Sequence, residues 1–544
     1  MQRRTLLTAV PVLATAAACR GTDRADSSGV SGGSGGSGGT DQKPPGSTPG
    51  SASGGTAGGS PAPAVSGSGS LPRAAADWTA LGHGLDGKLV RPGDADYPTA
   101  RQLYNTRYDS LKPAAVAYIA GEDDIRECLA YARAHHVPVS IRNGGHSYAG
   151  WSSGNGRLVI DVSKLSRISA DGTIGAGAKL VDIYETLGRS SRAIPGGSCP
   201  TVGISGLTLG GGHGVASRAY GLTCDSLTSA TLITADGKRV TASAKENKDL
   251  FWALRGAGNG NFGVVTGMTF RTHAAPQTVS AYMSWPWSKA HAVIDAWQKW
   301  GPEQPDEIWS SAHLEAASGG GTPSVSVAAF SLGTYGDLQN AVDRLADRVG
   351  APARSVSLRR RGYEDAMLVY AGCASISEDQ CHLPGPTPGR RTRGTLQRET
   401  YAAASDFYDR TLPAAGIDAL LARVRSFTGL SASQGAGSVA LTALGGAINR
   451  VSPSATAFVH RRSRVLVQYL ASWRPGTSGS AQQSWLRDTH RAMGPYASGG
   501  AYQNYMDPKL TDWRTAYYGA GAARLAGLKK QYDPQRLFDF PQAL

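Results

Sequence analysis

Three glycine-rich loops and one tyrosine-bearing segment hold the residues whose types and spacing suit chemistry. The first loop is Arg142-Asn143-Gly144-Gly145-His146-Ser147, directly after a strand-like run. Consecutive glycines let backbone N–H groups close on a pyrophosphate and form an anion nest. The second loop runs from Pro195 to Gly214 and includes Cys199, Val202, Gly203, Gly206, Gly211, Gly212 and His213. The third, Arg255 to Val265, formally contains GxGxxG at Gly258, Gly260 and Gly263. That fingerprint marks a dinucleotide site only between a strand and a helix. Here Val264 to Phe270 reads as a strand, so a Rossmann site is not expected. No CxxC or HExxH occurs, which leaves metal catalysis without a foothold.

The elements that must position these loops alternate over the first half of the folded chain. From Glu122, the stretch EDDIRECLAYARAHH places Ile125, Cys128, Leu129 and Ala132 on one helical face. Acidic residues open it and His135-His136 close it, as the helix dipole prefers. Val137 to Ile141 and the run RLVIDVS read as strands. Ala230 to Val240, with Asp236-Gly237 in the middle, reads as strand, tight turn and strand. Beyond Arg271 longer amphipathic helices (Ser288 to Trp300, Leu338 to Val349) mix with strands such as Ser324 to Phe330 and Val465 to Tyr469. The expected division is 77–271, a second domain 272–498, and a return segment 499–544. No internal repeat is visible.

Composition bounds the alternatives. A chain of 544 residues accommodates two domains or one large one. With 11 Trp and 21 Tyr, disorder is excluded as the whole answer. No apolar run reaches the roughly 20 residues of a membrane span, so a polytopic membrane protein is excluded too. The net charge is 55 − 41 = +14, but its cations are scattered and form no run longer than Arg359-Arg360-Arg361. A solvated basic surface is the expectation, without nucleic-acid binding.

The amino terminus reads as an address. Arg3-Arg4 precede the apolar stretch Leu6 to Ala18, the pattern of a twin-arginine export leader. Ala16-Ala17-Ala18-Cys19 is read as a lipoprotein cleavage site with Cys19 lipidated as a membrane tether; cleavage after Ala18 is the competing reading. Export signal and mature start occupy 1–26. Residues 27–76 are mostly Gly, Ser, Thr, Pro and Ala, too poor in apolar side chains to fold, and serve as a flexible spacer.

RNGGHSYAG, PGGSCPTVGISGLTLGGGHG, WALRGAGNGNFGVVT and a carboxy-terminal YQNYMD together resemble the berberine-bridge-enzyme-like family of FAD-linked oxidases. The resemblance runs from about Leu85 to Phe540. It implies an α+β fold of the vanillyl-alcohol-oxidase (PCMH) type, with a two-part FAD domain and an inserted substrate domain, an antiparallel sheet backed by helices. It implies FAD held covalently by His146 (to the flavin 8α carbon) and Cys199 (to carbon 6). Both are nucleophiles suited to an electron-poor isoalloxazine. Arg142, Asn143, Gly144, Gly145, Ser147, Val202, Gly203, Gly206, Gly211, Gly212, His213, Gly263 and Val265 are the other expected cofactor contacts. His213 stands where many relatives carry Tyr, which leaves its role open.

For catalysis the resemblance implies Tyr505 as base, with Asn504 beside it and Gln468 on a substrate-domain strand; core packing is an equal reading of Gln468. A phenol is a poor base unless its pKa is lowered. The segment is expected on a strand, and Tyr502, three residues earlier, is a second candidate phenol. Val202, three after the flavin cysteine, is the expected oxygen gate, its small side chain marking an oxidase. Of the other cysteines, Cys373 and Cys381 are the expected disulfide from proximity, and Cys128 and Cys224 are either a second one or buried thiols. The implied activity is oxidation of an alcohol or hemiacetal carbon of a sugar or sugar-decorated natural product, with O2 as acceptor. Oxidative C–C or C=C formation on a secondary metabolite is the alternative within enzymes. A non-catalytic flavin- or carbohydrate-binding lipoprotein is the alternative outside them.

Overall fold

The protein is described by a computed structural model covering residues 77–431 and 435–544. The leader, Cys19 and the spacer lie outside the described residues. The first sheet joins β1 (Lys88–Val90), β2 (Ala115–Tyr118), β3 (Val139–Arg142) and β4 (Leu158–Asp161) in the order β1-β2-β4-β3. Its β2-β4 and β4-β3 pairs are parallel. The helix Glu122–His135 supplies the crossover from β2 to β3, and His136 ends it in the left-handed conformation (φ 52°). Its buried face carries Ile125, Cys128, Leu129 and Ala132, as the spacing predicts.

A second, antiparallel sheet follows. β5 (Thr173–Gly175) stands at one edge, and β6 (Arg192–Ala193) belongs to a separate two-stranded ribbon. β7 (Leu227–Ile233), β8 (Arg239–Ser243) and β9 (Val264–Phe270) complete the order β5-β9-β7-β8. The β7-β8 turn falls at Asp236-Gly237, where Gly237 takes φ 86°. β9 follows the third glycine loop directly, so the loop opens no helix there.

β10 (His273–Ala274) closes the ribbon with β6. The remaining strands are β11 (Thr278–Trp285), β12 (Ile308–Ala317), β13 (Ser324–Ser331), β14 (Ser355–Arg361), β15 (Tyr401–Tyr408), β16 (Ala436–Ala443) and β17 (Val465–Ser472). They form one antiparallel sheet in the order β14-β11-β13-β12-β16-β17-β15. Four helices cover one face: Ala290–Trp300, Tyr335–Val349, Ala414–Phe427 and Ser480–Met493. In the second of them Leu338, Ala341, Val342, Leu345 and Val349 are buried at helical spacing. A Thr334–Asp337 capping box starts that helix and Gly350 (φ 68°) stops it. Buried Trp297 donates Nε1–H to Ser310 Oγ at 3.1 Å, which ties the first helix to β12, and Trp300 donates to the Ala341 carbonyl at 2.9 Å, which ties it to the second helix.

The architecture is α+β, as expected. Cys373 and Cys381 are disulfide-bonded, while Cys128 and Cys224 are buried thiols. Burial raises the Cys128 thiol to about 12 and pushes Cys224 higher still, so neither is a nucleophile at neutral pH. The Tyr502–Tyr505 segment, expected on a strand, is a 3₁₀ turn over Gln503–Tyr505.

Candidate active site

The far face of the seven-stranded sheet and the glycine loops enclose a cavity of about 320 Å³. Strand pleating sets which residues reach it: Trp309, Ser311 and His313 of β12 and Leu466 and Gln468 of β17 line the cavity, while the residues between them enter the helix-covered core. Asn143, Gly144, Gly145, His146, Ser147, Cys199, Val202, Gly203, Gly206, His213, Gln468, Asn504 and Tyr505 all line it. Residues over 300 positions apart in the chain therefore share one wall.

The loops are locked to each other by side chains. Asn143 Nδ2 donates to the Ala176 carbonyl (2.5 Å) and to Ser205 Oγ (3.2 Å), and Lys179 donates to Asn143 Oδ1. A Cβ on Gly203 would lie 2.1 Å from Asn143 Cγ, so the first two loops meet only because this residue is glycine. Asn504 ties the remaining pieces. Its Nδ2 donates to the Leu207 carbonyl and to Tyr502 OH, both at 2.9 Å, and its Oδ1 accepts from Asn259 of the third loop at 3.0 Å. Tyr502 OH in turn accepts the Gly212 N–H at 2.9 Å. Tyr502 is thus a buried anchor, and Asn504 is a clamp across three segments.

Tyr505 is held differently. Its hydroxyl meets His213 Nε2 at 2.7 Å, and its ring stacks on Tyr148 with centroids 5.0 Å apart. Gln468 Nε2 donates to Tyr148 OH at 2.7 Å, so Gln468 reaches Tyr505 through Tyr148. Burial, and then the neighbouring Tyr148 and Tyr502, hold the Tyr505 phenol well above 10.0, opposite to the direction a base requires. His213, by contrast, is lowered to about 4 by burial alone and is a neutral imidazole. His146 is lowered to about 3 by burial and by Lys179; its Nε2 meets Thr201 Oγ1 at 2.8 Å, and its ring stacks on Tyr104. Cys199 lines the same wall.

Five expected cofactor contacts do not face the cavity. Arg142 is buried behind the first loop, 2.5 Å from Asp161 through Nε. Gly211 and Gly212 pack against Phe458 and Thr223. Gly263 faces the Ile233 carbonyl, where a Cβ would come to 2.5 Å, and Val265 is buried in β9. Conversely, Tyr148, Tyr401, Trp309, His313 and Asn259 line the cavity without having been singled out in the sequence. Tyr148 adjoins the first motif, and the apolar–polar alternation of IWSSAHLE signals the β12 residues.

The wall suits a large, partly polar ligand. Ser152 Oγ, His213 Nδ1 and Asn259 Oδ1 are buried there without a hydrogen-bond partner among the described residues. A Cβ on Gly206 would meet nothing within 4 Å, so the backbone there is open to close approach.

Comparison with known proteins names the ligand. The model described as an FAD binding domain matches residues 113–243, and that described as berberine and berberine like matches 501–544. The chain is 30% identical over 469 residues to the FAD-linked oxidoreductase YgaK of Bacillus subtilis (strain 168), covering 85% of this chain and 97% of that one. It is 30% identical to a chitooligosaccharide oxidase of Gibberella zeae, over 81% of this chain and 89% of the relative. The solved xylooligosaccharide oxidase from Myceliophthora thermophila in complex with xylobiose superposes with a TM-score of 0.75 at 28% identity, over 86% of this chain and 99% of that one. The chain belongs to the berberine-bridge-enzyme-like family of FAD-linked oxidoreductases, and FAD is its cofactor.

Proposed function

We propose that this protein is an exported oxidase that removes hydride from an alcohol or hemiacetal carbon of a sugar or glycosylated natural product and reduces O2 to H2O2. Bound FAD supplies the hydride acceptor. The observation that carries the reading is the wall shared by His146, Cys199, Tyr505 and the face of β12 and β17. His146 is neutral, and with Thr201 at Nε2 its Nδ1 is the nitrogen left to bond the flavin. Linkage at Cys199 requires its sulfur as a thiolate. Tyr505 takes the substrate hydroxyl proton, and Tyr148 and Gln468 keep its ring in place. Val202 lines the cavity, and in this reading its small side chain is the gate for O2. Trp309, Tyr401 and Ser311 offer a sugar both ring faces and hydroxyls.

Sugar oxidase names among the relatives support this substrate class, and the Cys373–Cys381 disulfide accords with an oxidising compartment. Export by the twin-arginine route, with Cys19 as lipid anchor, belongs to the same reading. The test is peroxide release from purified protein across mono- and oligosaccharides, glycosides and polyketides. Release with a saccharide is the expected result. Turnover without peroxide would remove the oxidase reading, and binding without turnover would leave a non-catalytic module.

A further inference from the structure

Tyr505 presents a chemical problem that its surroundings resolve. A general base must hold a lone pair ready when the substrate hydroxyl loses its proton. The Tyr505 phenol is protonated, and its burial beside Tyr148 and Tyr502 opposes ionisation. It becomes an acceptor only if its own proton leaves in the same event. One basic atom stands in line to receive it: His213 Nε2, 2.7 Å from the hydroxyl oxygen.

The environment of His213 favours that role. The titratable groups whose rings pack against it are Tyr505 and Tyr502, with centroids 5.7 and 5.5 Å away. Burial is the cause that keeps the imidazole neutral, and hence able to accept. Tyr502 is committed elsewhere, accepting the Gly212 N–H and the Asn504 amide. His213 Nδ1 is buried in the cavity wall with no hydrogen-bond partner among the described residues. With Nε2 as acceptor the ring proton sits on Nδ1, and that N–H is available to a bound ligand.

We infer that His213 is the proton acceptor behind Tyr505, so that the two act as one relay. The inference rests on the oxidase reading above. In the step, the substrate O–H bond breaks and its proton goes to the Tyr505 oxygen. The Tyr505 proton passes to His213 Nε2, giving imidazolium. The C–H bond breaks with its electron pair going to the bound flavin, and a C=O bond forms. Two electrons leave the carbon, one proton reaches His213, and FAD is the oxidant. His213 acts through Tyr505 and is a positioning and relay residue.

The first test needs no substrate. In flavin-loaded protein with 15N-labelled histidine, the resonance lost in His213→Gln identifies His213. The relay predicts Nδ1 protonated and Nε2 unprotonated and hydrogen-bonded, an arrangement that Tyr505→Phe disturbs. A protonated Nε2 donating to Tyr505 would overturn the relay whatever the enzyme oxidises. The second test is anaerobic flavin reduction followed against pH. His213→Gln should slow reduction by about 10²-fold, within the range for proton-transfer groups. It should abolish the low-pH limb of the profile. Added to Tyr505→Phe it should cost little more, because residues acting as a unit are non-additive. Effects that simply multiply, with an unchanged pH profile, would contradict the relay. Failure of the unmodified enzyme to reduce its flavin with any saccharide would strike the oxidase reading instead, leaving the nitrogen-15 result to decide the His213–Tyr505 bond.

Discussion

On its helix-covered face the seven-stranded sheet presents Ile308, Ala312, Leu314, Val465, Val467 and Tyr469. On the cavity face the residues between them are Trp309, Ser311, His313, Leu466 and Gln468. The same strands thus build a core and a binding wall, because pleating sends alternate side chains to opposite sides. The core face is filled by branched and aromatic side chains that need only shape. The cavity face carries hydroxyls, an imidazole and an amide, whose value depends on what they meet. Stability and chemistry should therefore separate by residue parity along one strand.

The largest effect that would sharpen this contrast lies on the cavity side. Tyr505→Phe should lower the rate of flavin reduction by about 10²–10⁴-fold, with fold and flavin content unchanged by circular dichroism and absorbance. Equal reduction rates in anaerobic stopped flow would break the assignment. On the core side, Trp297→Ala should destabilise the protein by about 3–5 kcal/mol, since it empties a fully buried site. Denaturant unfolding measures that loss, and residual folded enzyme should keep its rate of flavin reduction.

A third effect comes from a buried histidine outside the cavity lining. His460 is buried against Phe407 and Phe458, and burial lowers it from 6.5 to about 3. The unfolded chain takes the proton first as pH falls, so this contribution to stability is complete above about 6.5 and declines toward about 3. The expected slope is about 1.4 kcal/mol per pH unit within that window. His490 works the other way, since Asp406 outweighs its burial and raises it. Melting temperatures of the parent and of His460→Leu should converge as the pH is lowered from about 6.5. A constant gap would refute the assignment.

The smallest effect concerns oxygen. Val202→Leu should slow reoxidation of the reduced flavin by about tenfold, a barrier change of about 1.4 kcal/mol. Reduction by substrate should stay nearly the same. Unchanged reoxidation would mean that O2 takes another path.

What could be read from the chain, and what could not, follows physical lines. Periodicity located the helix at Glu122 and the turn at Gly237, because local pattern and tertiary need agree there. The strand composition of Val264–Phe270 correctly argued against a Rossmann turn despite its glycine spacing. Glycine itself was the ambiguous signal. Gly206 borders open cavity, whereas Gly212 and Gly263 are glycine because Thr223 and the Ile233 carbonyl leave no room for a Cβ. Spacing does not distinguish a backbone that approaches a ligand from one that approaches another backbone. The tyrosines of YQNY, three positions apart, share a neighbourhood through a 3₁₀ turn, whereas a strand would have put them on opposite faces. Tyr148, the ring on which Tyr505 stacks, comes from a segment more than 350 residues away, and no local pattern announces such a pair.

The central claim is that one FAD is bonded to both His146 and Cys199. Acid precipitation of the purified protein followed by peptide mass mapping tests it most directly. The account predicts a yellow pellet and a single FAD joining the His146 and Cys199 peptides. His146→Ala and Cys199→Ala should each retain one bond, and the double substitution should free the cofactor. Colour wholly in the supernatant, or a Cys199 peptide found without flavin, would contradict it.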